Sequence, residues 1–170
     1  MQVPGGAPAL IEDWRGASTA RHSTVGPFLL AGLVVVLDQL TKLWAVAALS
    51  GRPVDVIDDV LRLRLTRNPG GAFSLLTGFT PLLALLAAAM AVVIVRTTRR
   101  ATDRVMAYSL ALVLGGAVGN LIDRLARAPG FLRGEVIDFI KLPYWPTFNL
   151  ADSAITIGVA VIVLRGWRSS

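Results

Sequence analysis

The sequence contains no cysteine and one histidine, His22. Without cysteine there is no disulfide, no thiolate metal site and no thiol nucleophile. His22 stands in a polar N-terminal stretch, away from every long apolar run. A Ser-His-Asp triad in the apolar part of the chain and a His-rich metal site are therefore excluded too. Charge is also scarce, at 16% of residues. Any chemistry must rest on Asp, Glu, Lys, Arg, Asn, Ser, Thr or Tyr.

What is abundant is apolar. Of 170 residues, 54% are hydrophobic, and the mean hydropathy is +0.63. That length suits one domain, and that composition is too apolar for an ordinary soluble one. Seventeen basic residues against eleven acidic ones give a net charge of +6. The basic residues are scattered between apolar runs with little aromatic interleaving, so anionic lipid and membrane topology account for them better than nucleic acid.

Residues 1–25 are rich in Gly, Ala, Pro, Ser and Thr and read as a disordered tail. The apolar run that follows is too long for a signal peptide and has no clear small-residue cleavage site, which argues against one. Apolar runs then predict four membrane helices, at about 26–49, 79–95, 105–125 and 148–164. The first span carries Asp38 and Lys42, which share a helix face in the favourable order for an ion pair. After it, Leu61 to Thr66 alternates apolar and polar, a half-exposed strand pattern. Asn68-Pro69-Gly70-Gly71 follows as a turn, and Ala72 to Leu76 as a short interfacial piece. Gly115, Gly116 and Gly119 allow close helix approach in the third span. Glu135 to Ile140 has strand character, and Tyr144 and Trp145 suit a membrane–water boundary.

Four spans put both termini on one side. The cluster Arg96, Arg99, Arg100 and Arg104, with Arg165 and Arg168 near the C-terminus, marks that side as cytoplasmic. The loops holding the unusual polar residues then face outward. The domain occupies 26–165, with a cytoplasmic end at 166–170.

Carboxylates beside hydrocarbon are costly and need a reason. With Asn149 as N-cap, Asp152 falls at the third helical position and faces the helix dipole, which also describes a plain helix-start acid. Asp138 lies between apolar neighbours, Val136-Ile137 and Phe139-Ile140. Alone there it should titrate high; paired with Asp152, the two would share a proton, one acting on a water and the other on a carbonyl oxygen. Which takes which role is open at this stage. Asp123, at the end of the third span beside Arg124, is the rival partner.

Five blocks in order resemble the lipoprotein signal peptidases, the type II bacterial signal peptidases. They are Asp38-Gln39-Leu40-Thr41-Lys42, Asn68-Pro69-Gly70-Gly71-Ala72-Phe73, Gly115 through Arg124, Val136-Ile137-Asp138-Phe139-Ile140, and Phe148-Asn149-Leu150-Ala151-Asp152-Ser153-Ala154-Ile155. The resemblance implies an α-helical integral membrane protein with four transmembrane helices and a small extracytoplasmic β-sheet cradle. It implies an aspartyl endopeptidase in the bacterial cytoplasmic membrane that removes signal peptides from diacylglyceryl-modified prolipoproteins, just before the lipidated cysteine. The family's catalytic aspartates fall on Asp138 and Asp152. Its supporting and substrate-binding residues fall on Asp38, Lys42, Asn68, Gly70, Asn120, Asp123, Arg124 and Asn149. It further implies no cofactor or metal, a monomer among membrane lipids, and sensitivity to globomycin-type inhibitors. Two rivals remain: a non-catalytic module with a carboxylate-lined ion or proton path, and a Mg²⁺-dependent headgroup transferase, which would need a denser cluster of acids.

Overall fold

The computed structural model describes residues 24–70 and 79–168. Nearly all of the N-terminal tail, the piece from Ala72 to Leu76 with Gly71, and the last two residues lie outside the described residues. In chain order the elements are α1 (Val25–Leu49), β1 (Val54–Ile57), β2 (Leu61–Asn68), α2 (Thr80–Arg100), α3 (Arg104–Ala126), β3 (Val136–Lys141) and α4 (Leu150–Arg168). All four helices are long and apolar enough to cross a membrane. Large apolar side chains such as Leu29, Leu33, Val36, Leu85 and Val93 point outward, as a lipid-facing surface requires.

Helix α3 lies at the centre and packs against α1, α2 and α4. Its glycines make this possible. A Cβ at Gly115 would come within 2.7 Å of the Ala31 carbonyl on α1, and one at Gly116 would collide with the Ala151 carbonyl on α4. The backbones touch, and that contact substitutes for a thick side-chain core. At the far end of the bundle from the sheet, Asp103 caps α3 by accepting from the Met106 amide (3.2 Å), and it pairs with Arg165 of α4.

Helix α2 starts with Pro81 in its first turn. It runs past Val95 through Arg96 to Arg100, beyond the apolar stretch that marked it in the sequence. Arginine is a good helix former, and its long stem lets the guanidinium leave the hydrocarbon while the backbone stays helical.

The three strands form one antiparallel sheet in the order β1-β2-β3. In β2, Arg62, Arg64 and Arg67 are exposed while the leucines between them are half-buried. The leucines face the top of α1, where Ala45, Leu49, Ile137 and Phe139 make a small core with Leu63 and Leu65 packed on it. Trp44 of α1 meets Phe139 edge to face, centroids 6.2 Å apart. Strand β1 is exposed along its length and was not legible in the sequence. After β3 the chain turns through Leu142 to Trp145 and comes back. Phe148 and Ile140 exchange backbone hydrogen bonds of 3.0 and 2.8 Å. That return delivers Asn149, and with it the start of α4, beside β3.

Candidate active site

Asp138 stands on β3 opposite Thr66 of β2 and is only 2% exposed. Strand alternation decides its direction. Asn68, two residues beyond Thr66, points the same way, and its Nδ2 donates to Asp138 Oδ2 at 3.0 Å. Asn149 Nδ2 donates to the other oxygen, Oδ1, at 2.7 Å. Burial pushes the Asp138 carboxyl up to about 7; the amides of Asn68 and Asn149 oppose the rise, and the nearby Asp152 charge adds to it.

Asp152 sits on the first turn of α4 in a reciprocal cap. Its own N–H donates to Asn149 Oδ1 (2.9 Å), and its Oδ2 accepts from the Asn149 N–H (3.3 Å). Its Oδ1 accepts from Asn120 Nδ2 at 2.8 Å. Asn149 therefore grips both acids: Asp138 through its side-chain amide, Asp152 through its backbone amide and side-chain oxygen. Asp138 is buried, while Asp152 is half-buried.

Beneath the acids lies a buried charge network. Lys42 Nζ reaches Asp38 Oδ2 (2.8 Å), Asp123 Oδ2 (2.8 Å) and Asn120 Oδ1 (2.9 Å). Asp38 Oδ1 accepts from the Ala151 N–H (3.0 Å), so a side chain of α1 caps a free amide of α4. Asp123 is filled on both oxygens, by Arg127 Nε (2.6 Å), Lys42 and the Ile137 N–H (3.2 Å). Arg124 Nη1 donates to the Pro69 carbonyl (3.4 Å), which also accepts from Thr80 Oγ1, and the Gly70 N–H donates to Asn68 Oδ1 (3.1 Å). These contacts hold the turn that aims Asn68.

The arrangement is a pair of acids with unlike surroundings at the sheet end of the bundle, aligned by amides and braced by a lysine. Similarity to known proteins gives the family of the chain. The chain matches the family described as signal peptidase (SPase) II over residues 30–168. The chain belongs to the signal peptidase II family. It is 49% identical to the lipoprotein signal peptidase of Rhodococcus jostii (strain RHA1), covering 81% of this chain and 70% of that protein. It is 44% identical to the lipoprotein signal peptidase of Mycobacterium avium (strain 104), covering 79% and 75%. A solved bacterial membrane enzyme, determined in meso at 1.9 Å, superposes with a TM-score of 0.75 at 30% identity, covering 86% of this chain and 95% of that one. With its family, the chain is an aspartic peptidase and a multi-pass membrane protein.

Of the residues singled out in the sequence, Asn68, Asn120, Asp138, Asn149 and Asp152 form one hydrogen-bonded cluster. Asp38, Lys42 and Asp123 form the layer below it. Arg124 and Gly70 act on the Pro69 turn. Gln39 and Arg127 were missed. Gln39 Nε2 ties Asp38 (3.2 Å) to the Gly119 carbonyl (3.0 Å). Gly119 is where a Cβ would come within 2.6 Å of Asp38 Oδ2. A glutamine inside an apolar span, and an arginine one helical turn after Asp123, were the available signals.

Proposed function

We propose that this protein cuts signal peptides from diacylglyceryl-modified prolipoproteins, just before the lipidated cysteine, with Asp138 and Asp152 as the catalytic pair. The observation that carries the reading is the grip of Asn149 on both carboxyl groups. The pair holds one proton, resting on Asp138, whose burial favours the neutral acid. Asp152 takes a proton from the attacking water. Asp138 gives its proton to the oxygen of the scissile carbonyl, producing a tetrahedral diol. Collapse of the diol passes a proton to the departing amine of the lipidated cysteine and leaves a carboxyl end on the signal peptide. No covalent enzyme intermediate forms.

Supporting the reading, the acids stand where the helices meet the sheet, with Tyr144 and Trp145 exposed nearby in sequence. A lipidated cysteine anchored in the bilayer would bring its preceding peptide bond to that depth. The arginine cluster ending α2 supports a topology in which the opposite end of the bundle and both termini lie in the cytoplasm and the site faces outward. Among the described residues no three His, Cys, Asp or Glu side chains gather closely enough to hold a metal ion. Globomycin-type peptides occupy the same cleft in this reading.

The test is Asp138→Asn, Asp152→Asn and Asp123→Asn, each purified in detergent and assayed on a diacylglyceryl-modified prolipoprotein, with thermal unfolding measured alongside. The first two abolish cleavage while remaining folded; Asp123→Asn is less stable yet keeps residual activity. If Asp138→Asn still cuts and Asp123→Asn does not, the pair is wrongly assigned. A parent protein that cuts nothing removes the peptidase reading and favours a carboxylate-lined ion path.

A further inference from the structure

At the end of the bundle away from the sheet, a groove of about 470 Å³ opens between α1 and α2, with α3 as its floor. Gly32 and Val35 line it from α1, Ala91 from α2 and Leu114 from α3. A Cβ built on Gly32 meets nothing within 4 Å, so the groove is open space and not a packing seam. Its lining is apolar except at one end, where Arg96 and Arg99 of α2 enter it.

These two arginines stand one helical turn apart on a shared face. Both are exposed, and among the described residues neither forms an ion pair. The nearest acid in sequence, Asp103, is paired with Arg165. From Ala91 to Arg99 the groove runs about 12 Å along the helix, close to the depth of one leaflet of a hydrocarbon core about 30 Å thick. A slot of leaflet length, closed at its polar end by a guanidinium pair, has the chemistry of a diacyl lipid bearing a phosphate.

We propose that this groove holds one anionic phospholipid, with its phosphate on Arg96 and Arg99 and an acyl chain lying between α1 and α2. Charge decides against the other apolar occupant at hand, a substrate signal helix. The basic n-region of such a helix would be driven from two unpaired arginines. The bound lipid closes a gap between two helices that the protein leaves unfilled, so it stabilises the bundle independently of cleavage.

The experiment uses the full-length protein, delipidated in a neutral detergent, and reads lipid retention by native mass spectrometry together with the unfolding midpoint. Dioleoylphosphatidylglycerol raises the midpoint and is retained one per chain; dioleoylphosphatidylcholine and sn-glycerol 3-phosphate at equal concentration do neither. Arg96→Gln/Arg99→Gln weakens phosphatidylglycerol binding by about tenfold or more and leaves prolipoprotein cleavage intact. Arg168→Gln, which removes a cation from the same end of the bundle outside the groove, has no such effect. Gly32→Leu fills the groove and also abolishes retention, with both arginines in place. Equal retention of the two phospholipids overturns the proposal. So does an Arg168→Gln effect as large as that of the pair, which would mark a general surface field. Retention undiminished in Gly32→Leu would place the lipid on the arginines outside the groove, and stabilisation by glycerol phosphate alone would make the site one for a free phosphate; either result overturns it as well.

Discussion

Replacing Asp138 by Asn separates the chemistry of this carboxyl from its structural cost. Asp138 is almost wholly buried and accepts from two amide donors, Asn68 Nδ2 and Asn149 Nδ2. Asparagine has the same shape but only one acceptor oxygen, so one donor is left facing an NH₂ group. That mismatch costs about 1–3 kcal/mol at every pH. The second effect depends on pH. The carboxyl titrates near 3.8 in the unfolded chain and at about 7 in the fold. It binds its proton more tightly when folded, so its contribution to stability is full below 3.8 and is lost as pH rises through about 7. The difference in pKa corresponds to about 4 kcal/mol at 1.36 kcal/mol per unit. Asparagine has no such titration. Measured against Asp138→Asn, the parent therefore loses about 4 kcal/mol between pH 4 and pH 8, and the variant, less stable in acid, becomes the more stable of the two in mild base. The assay is reversible unfolding in one detergent, followed by helical circular dichroism from pH 4 to 9. Cleavage is measured in parallel; the variant is inactive throughout, and the parent loses activity as pH rises through about 7. A stability difference that stays constant over that range would falsify the argument, because it would mean that Asp138 ionises alike in both states.

Three further outcomes follow from the same geometry. Lys42→Met leaves Asp38 and Asp123 buried without their shared cation and releases Asn120; unfolding measurements should show a loss of about 3–5 kcal/mol, and an unchanged midpoint would rule out the network as a brace. Gly119→Ala improves helix propensity by up to about 1 kcal/mol but places a methyl group 2.6 Å from Asp38 Oδ2. Cleavage should fall on the order of tenfold or more, because Asp38 caps the helix that carries Asp152; an activity equal to the parent's would show that Asp38 does not hold α4 in place. EDTA should leave the rate of prolipoprotein cleavage unchanged, and a rate restored only by added divalent cation would mean that the acids act through a metal.

Local signals in the chain were enough for its local features. A run of some twenty apolar residues has few alternatives to a membrane helix, because no other open structure satisfies its backbone in lipid. The cap formed by Asn149 and Asp152 was equally legible, since both partners lie within one helical turn. The alternation of leucine and arginine in β2 announced a strand with one covered face. Strand β1 gave no such signal, since it is exposed throughout and held by its pairing with β2. The end of α2 was misplaced because hydropathy stops at Val95 while backbone hydrogen bonding continues through the arginines.

The site itself depends on long-range approach. Pleating tells that Asp138 and Phe139 face opposite ways, but not which face is covered. The packing of β3 over Ala45 and Leu49 covers the face of Ile137 and Phe139, and the return of Phe148 along Ile140 sets Asn149 against Asp138 on the other. In the same way the sequence showed an acid and a lysine sharing a face of α1, yet only the close passage of α3 at Gly119 joins Lys42 to Asp123 and Asn120. The sequence by itself determined which segments enter the membrane and which residue types remain for chemistry. The tertiary structure decided which carboxyl is buried, which is braced by a cation and which stands half-open, because desolvation and pairing are properties of the surroundings and not of the residue.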